Sequence, residues 1–369
     1  MESLFNGVFK NKTVFVTGHT GFKGSWLALW LTALGARVVG YSLPPPTSPN
    51  MFESARIAGH ITHITGDVRD AGRLMQAVQA CEPDFVFHLA AQPLVRLSYQ
   101  EPVLTYETNV MGTVNVLEAV RRTGSVRVCL VVTSDKCYDN KEWVYAYREN
   151  DSLGGRDPYS SSKACAEMAV AAYRGSFFST SGGQAYKALS SVRAGNVIGG
   201  GDWAADRIVP DAVRALAKEE PVPVRNPHAV RPWQHVLEPL AGYLWLAARM
   251  WEDGPAYSSA WNFGPSSDGN VTVKELVEKI ITVWGSGSWQ DISGNIAQPH
   301  EATYLKLDCT KTNNLLCWYP VYNVTEAVAA TVDWYREYYS NKEANLFSIT
   351  LKQIADYVEK ARRSRAVWA

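Results

Sequence analysis

An α/β fold, a doubly wound parallel sheet with a smaller α/β lobe, is predicted for this chain from three observations. Short apolar runs alternate with helix-length segments through the first half. The runs are nearly continuous in Val, Phe and Leu, as suits parallel strands buried on both faces. The first run ends on a glycine turn, Gly18-His19-Thr20-Gly21-Phe22-Lys23-Gly24, that leads into a helical pattern. In order, residues 12–17 (KTVFVT) form a strand, and Trp26, Leu27, Trp30, Leu31 and Leu34 then share one helical face until Gly35 ends the helix. Further strands are expected at 37–41, 61–64, 84–89 and 126–132, each separated by enough chain for a crossover helix. Prolines at 44–46 and 49 make residues 44–49 an irregular connection. After Val197 the sequence turns aromatic and rich in Pro and Gly, which suits a smaller lobe assembled from loops.

The 369 residues carry 36 basic and 36 acidic side chains, a formal charge of zero. That balance removes the global field that nucleic acid or an anionic membrane would select, so neither is expected as a partner. The basic run at 360–365 reads as a solvated terminus. The six cysteines (Cys81, Cys129, Cys137, Cys165, Cys309, Cys317) contain no Cys-x-x-Cys pair and mostly lie in apolar runs. They read as buried thiols of a reducing compartment, with no metal and no disulfide. The first ten residues lack a signal-peptide pattern, and no apolar stretch reaches the roughly 18 residues of a membrane span. A soluble, cytoplasmic protein is expected.

The glycine turn carries the first chemical inference. Glycines permit a tight turn and close backbone approach, which places a pyrophosphate at a helix N-terminus where free N–H groups favour negative charge. Between a strand and an amphipathic helix, Gly18, Gly21 and Gly24 with Thr20, Phe22 and Lys23 indicate a Rossmann-type dinucleotide cradle. The acid usual at the end of the second strand is replaced by Ser42, and no Arg stands there for a 2′-phosphate, so NAD is favoured over NADP with a loosely held adenosine end. Tyr159 and Lys163, four residues apart, share a helical face, and a neighbouring ammonium and an oxidised nicotinamide both favour the phenolate, giving an acid/base for a hydroxyl proton. Ser134 ends a strand, and Asp135-Lys136 beside it adds a second acid and base. Alcohol oxidation does not need that pair, whereas loss of water does. An ordinary surface ion pair is the competing explanation.

The chain resembles the extended short-chain dehydrogenase/reductase family, and within it the nucleotide-sugar 4,6-dehydratases, over nearly its whole length. The residues carrying the resemblance are Gly18, Gly21 and Gly24; Asp67-Val68; His88-Leu89-Ala90-Ala91-Gln92; Asn109-Val110-Met111-Gly112-Thr113; residues 133–138; Tyr159 with Lys163; and Arg193-Ala194-Gly195-Asn196-Val197. It implies adenine contact by Asp67 and Val68, and nicotinamide-side contacts by Leu89, Ala90, Ala91, Asn109, Thr133, Tyr159 and Lys163. Common dehydratases carry Thr-Asp-Glu where this chain has Ser134-Asp135-Lys136. The acid is retained and the C5 base is changed. With residues 18–26 and 231–236, this triplet resembles the branch acting on CDP-glucose.

The resemblance implies a catalytic group of Ser134, Asp135, Lys136, Tyr159 and Lys163. Tyr159 removes the 4-hydroxyl proton as hydride passes from C4 to NAD; Lys136 takes the C5 proton, Asp135 protonates the departing 6-hydroxyl, and hydride returns at C6. Whether Lys136 is itself the base or positions a water stays open. Gln92, Asn196, Arg207, Arg231 and His300 are implied at the nucleotide sugar, the arginines because a planar fork suits a diphosphate. A dinucleotide-binding domain is expected over 1–197 with a returning segment at about 233–264, and a nucleotide-sugar lobe over about 198–232 and 265–369. A homodimer or homotetramer is implied, as is a product leading to deoxy sugars of lipopolysaccharide O-antigen. A 4-epimerase or reductase, a dehydratase of another nucleoside diphosphate hexose, and a non-catalytic NAD sensor are the alternatives.

Overall fold

The computed structural model describes residues 1–178, 186–295, 304–341 and 343–369. The strands of the first half fall close to the expected places: β1 (Thr13–Thr17), β2 (Arg37–Ser42), β3 (Thr62–Thr65), β4 (Phe85–His88), β5 (Val128–Val132) and β6 (Ala188–Ala194). They are followed by β7 (Asn196–Ile198), β8 (Val222–Val224), β9 (Val230–His235), β10 (Ala260–Phe263), β11 (Asn270–Thr272) and β12 (Trp289–Asp291). Among the described residues the main sheet has the order β10-β6-β5-β4-β1-β2-β3, and every pair in it is parallel. The order reverses between β1 and β4, so the segments leaving those strands diverge and open a crevice at their C-terminal ends. Two small sheets, β11-β9-β7 and β12-β8, build the other part of the molecule.

Alternation along the central strands explains the two-sided core. Val14 and Val16 of β1, Phe85 and Phe87 of β4, and Val128 and Leu130 of β5 face one apolar cluster. Phe15, Val86, Cys129 and Val131 face the other, which the helices Ala71–Cys81, Gly112–Arg122 and Pro158–Phe177 cover through Leu74, Val78, Val116, Leu117, Val120 and Val170. The helices Phe22–Ala33 and Leu237–Glu252 cover the first cluster.

Two expectations need correction. The helix Phe22–Ala33 is buried all round from Gly24 to Leu31, not on one face. Its outer side is covered by the helix Leu346–Arg363 and the residues after it, where Trp30 packs edge-on against Tyr357 and Trp368. The edge strand β3, in turn, is largely solvent-facing, and its Thr-His-Ile-Thr sequence breaks the apolar rule that central strands obey.

The returning helix Leu237–Glu252 also carries a buried acid. Glu238 accepts hydrogen bonds from Val321 N (3.0 Å), Tyr322 N (2.7 Å) and the Tyr357 hydroxyl (2.8 Å), tying three distant segments together. Burial outweighs these donors and raises its pKa from 4.5 to about 7. A carboxyl with a raised folded pKa stabilises the fold fully below its unfolded value, and that contribution is lost as the pH rises through about 7. Denaturant unfolding should therefore show stability falling between about pH 4.5 and 7 and levelling off above that, with a flatter slope in Glu238→Gln; identical slopes in the two proteins would exclude Glu238 as the source.

Candidate active site

The crevice is shaped first by backbone contact. Gly18 has φ +75°, and a Cβ there would sit 2.6 Å from the amide nitrogen of Ala90. A Cβ on Gly24 would collide with the carbonyl of Gly18. Only glycine lets the β1 turn, the first helix and the segment after β4 close this tightly. The N-terminus of helix Phe22–Ala33 has no side-chain cap, so the first-turn N–H groups face the turn, and the cradle fits a pyrophosphate. Ser42, at the end of β2, is buried and shares a hydrogen bond with Thr20 Oγ1 (2.8 Å), which also donates to the carbonyl of Leu43. Asp67 lines a cavity of about 460 Å³ with Arg69, Asp70, Glu107 and Met111. Its carboxylate is held by the Arg69 guanidinium and amide, which lower its pKa. Val68 is buried against Gly112, where a Cβ would meet it at 2.7 Å.

The helix Pro158–Phe177 places the reactive pair. Asp157 caps it, accepting from Ser160 N (2.9 Å) and Ser160 Oγ (2.6 Å), with Pro158 in the first turn. Tyr159 and Lys163 then follow one turn apart, and both are buried. On the strand side, Ser134 caps a short 3-10 turn, accepting from Lys136 N (3.2 Å) and donating to Asp135 Oδ1 (3.0 Å). Ser134 lies close enough to Tyr159 to favour its phenolate. The structure thus brings Ser134, Asp135, Tyr159 and Lys163 into one buried cluster, with Lys136 half-buried at its side.

Burial dominates the electrostatics here. It raises the pKa of Asp135 above its ordinary value against the pull of Lys136, Ser134 and Arg231. It also lowers Lys163 to about 8, with Glu167 opposing. Burial, with Arg207 and Lys163 nearby, brings Lys23 to about 8. Burial lifts Tyr159 to about 12, with Ser134 and Arg207 acting in the opposite direction, so the phenolate expected here depends on the ammonium together with an oxidised nicotinamide.

Three expected ligand contacts are spent elsewhere. Gln92 uses its side chain on Leu94 N, Leu94 O and Thr105 Oγ1, so it holds its own loop and has no hydrogen left for a sugar. Asn109 accepts from Gln92 N (2.8 Å) and donates to Gln92 O and Ser162 Oγ, clamping that loop to the helix of Tyr159. Thr133 turns its hydroxyl to Glu167 and Val192 O, away from the crevice. Leu89 and Ala90 amides lie on Thr17 Oγ1 at 3.2 Å, and Ala91 follows at the crevice wall. Arg207 is bonded to Asp202 (2.8 Å) yet is felt at Tyr159 and Lys23. Asn196 opens β7, and Arg231 lies on β9 within electrostatic reach of Asp135. His300 lies outside the described residues.

The sequence reading missed the support beneath the cluster. Glu167 continues the Tyr159 and Lys163 face by one more turn and pairs with Arg193 of β6 through two bonds, Nε–Oε1 2.9 Å and Nη2–Oε2 2.7 Å. Both side chains are 3% exposed. A charged residue inside the buried strand Ala-Leu-Ser-Ser-Val-Arg-Ala was the available signal, because such a charge demands a partner.

Comparison with known proteins agrees with this geometry. The family model described as GDP-mannose 4,6 dehydratase matches residues 15–331. A CDP-glucose 4,6-dehydratase of Salmonella typhimurium is 49% identical over 357 residues, 96% of this chain and 98% of its own. Among solved structures, MoeE5 in complex with UDP-glucose and NAD is 25% identical with a TM-score of 0.72, covering 88% of this chain and 99% of that one. A dTDP-glucose 4,6-dehydratase of Bacillus anthracis in complex with NAD has a TM-score of 0.72 at 21% identity, covering 92% of this chain and 99% of that one, and shares the fold. The chain belongs to the GDP-mannose 4,6 dehydratase family, the nucleotide-sugar 4,6-dehydratases among the extended short-chain dehydrogenases/reductases.

Proposed function

We propose that this protein is a hydro-lyase that converts CDP-glucose to CDP-4-dehydro-6-deoxyglucose and water, using NAD. The observation that carries this reading is the buried Asp135 carboxyl beside Ser134 and Tyr159. A Tyr/Lys pair serves oxidation alone, whereas a carboxyl held toward its neutral form adds the acid that elimination needs. The cytidine preference is supported by the Salmonella relative.

NAD, when bound, supplies a hydride acceptor for C4 and the donor that returns the hydride to C6. The chain's own groups move the protons. Tyr159, assisted by Lys163 and Ser134, takes the 4-hydroxyl proton, and the ketone so formed acidifies the hydrogen at C5. Lys136 removes that hydrogen while Asp135 protonates the departing 6-hydroxyl, which leaves as water. The glycine cradle with Lys23 and Ser42 holds the dinucleotide. Asn196, at the edge of the dinucleotide-binding domain, with Arg207 and Arg231 of the lobe expected over about 198–232 and 265–369, holds the diphosphate side.

The wider setting follows from the same reading. A cytoplasmic site of action is proposed from the sequence, in which the six cysteines mostly lie in apolar runs, as buried thiols do. Among the described residues no helix is long and apolar enough to cross a membrane. A 4-keto-6-deoxy product is a branch point toward deoxy sugars of O-antigen. Two copies pair through the helix carrying Tyr159 (Pro158–Phe177) and the helical segment carrying Asn109, which continues directly from Pro102–Tyr106; Val103 (68%) and Met168 (53%) are exposed apolar side chains on these elements.

Mass spectrometry of CDP-glucose after incubation with catalytic NAD should show loss of one water and no net reduced cofactor. Unchanged CDP-glucose, or loss of water from a UDP, dTDP or GDP hexose instead, overturns the substrate assignment. Gly24→Ala should weaken NAD binding by about tenfold or more, roughly 1.4 kcal/mol, in calorimetric titration; equal affinity would remove the cradle from the cofactor site. Light scattering on a sizing column should give a dimer mass for the unmodified protein and a monomer mass for Val103→Asp/Met168→Asp, and a monomer in both rules the pairing face out.

A further inference from the structure

Six tyrosines are among the largest fully buried side chains of the described residues: Tyr41, Tyr138, Tyr147, Tyr243, Tyr335 and Tyr357. Five donate their hydroxyl to a partner: Tyr41 to Asp67 O, Tyr138 to Asn262, Tyr147 to Asn140, Tyr335 to Asp202 O and Tyr357 to Glu238. Tyr243 is the exception. Its hydroxyl has no hydrogen-bond partner among the described residues, and neither has Asp135 Oδ2. Leaving such a group buried and unmatched is costly, so two of them within electrostatic reach of each other point to a ligand that satisfies both.

The position of Tyr243 links it to the reactive cluster. It stands on the helix Leu237–Glu252, outside every sequence motif, with its ring edge-on to Phe263 at 5.4 Å. Lys23 Nζ lies over that ring, 5.8 Å from its centre, and Lys23 in turn feels Asp135 and Lys163. Tyr243 itself lies within electrostatic reach of Asp135, and burial with that carboxyl holds its proton on well past the ordinary phenol range. The Asp135 oxygen it accompanies faces Gly195, where a Cβ would come within 3.3 Å.

We propose that Tyr243 is a further catalytic residue of this site, its hydroxyl donating a hydrogen bond to the sugar 6-hydroxyl as that group departs. The inference rests on the dehydratase reading. In the step, Lys136 takes the C5 proton and the C5–H electron pair becomes the second C5–C6 bond. The C6–O bond breaks, the oxygen takes the proton of Asp135, and water leaves. Tyr243 keeps its proton throughout and stabilises charge developing on the leaving oxygen.

Tyr243→Phe tests this, because it removes one unmatched oxygen and little else. The melting temperature should hold or rise. With CDP-glucose and NAD, kcat for loss of water should fall about tenfold or more, while oxidation at C4 continues, so that reduced-nicotinamide absorbance builds up on the variant. The variant should also bind CDP-glucose more weakly than the unmodified enzyme, yet bind the analogue lacking the 6-hydroxyl equally well. A kcat within about twofold of the unmodified enzyme, or a fall in kcat matched by a fall in melting temperature, overturns the inference and leaves the dehydratase reading intact. Failure of the unmodified enzyme to dehydrate CDP-glucose overturns both.

Discussion

The ion pair between Glu167 and Arg193 is the constraint on which the rest of the site depends. It joins the helix of Tyr159 and Lys163 to β6, and its remaining hydrogen-bonding capacity reaches outward. Glu167 also accepts from Thr133, the residue before Ser134, and from Ser191. Arg193 donates to Tyr138 and to the carbonyl of Glu149, and Tyr138 continues to Asn262 on β10. One buried network therefore fixes the height of the helix, the end of β5 and the segment leaving it. Replacing such a pair with apolar groups can be neutral, whereas removing one partner leaves a buried charge and costs about 3–5 kcal/mol. The pair's importance lies in registration: the donor and acceptor pattern admits one relative placement of helix and strand.

The same burial that makes the network specific sets the chemistry above it. In an exposed loop, Asp135 would be a carboxylate and Lys163 an ammonium well beyond neutral pH. Inside the crevice both move toward the neutral form. Asp135 and Lys163 owe this to their own burial, which leaves each less than a tenth exposed. Fold and reactivity are linked through solvent exclusion.

Much of this was legible from sequence because it depends on local rules. A strand ending in glycine, Tyr and Lys four residues apart, and Ser134-Asp135-Lys136 at a strand end each describe a short segment, and each segment folds as its pattern implies. What sequence could not show was how side-chain valences are shared between distant segments. Gln92, Asn109 and Thr133 are polar residues in the right segments, but their hydrogen bonds close on Thr105, Ser162 and Glu167. Likewise the all-round burial of the first helix depends on Tyr357 and Trp368, more than three hundred residues away by position. Tyr243 gave no sequence signal because its distinction is a missing partner.

The first and last segments also meet. Phe5 N donates to Trp368 O (2.9 Å), and the two rings stack at 5.2 Å beneath Trp30. A chain leaving the ribosome N-terminus first thus presents β6 with an open edge until Ala260–Phe263 arrives, and leaves the outer side of its first helix wet until Tyr357 and Trp368 emerge. The main sheet and the first helix are thus completed by segments from far along the chain. Until those segments dock, an open strand edge and an apolar helix face are exposed together, the two kinds of surface on which chains associate wrongly.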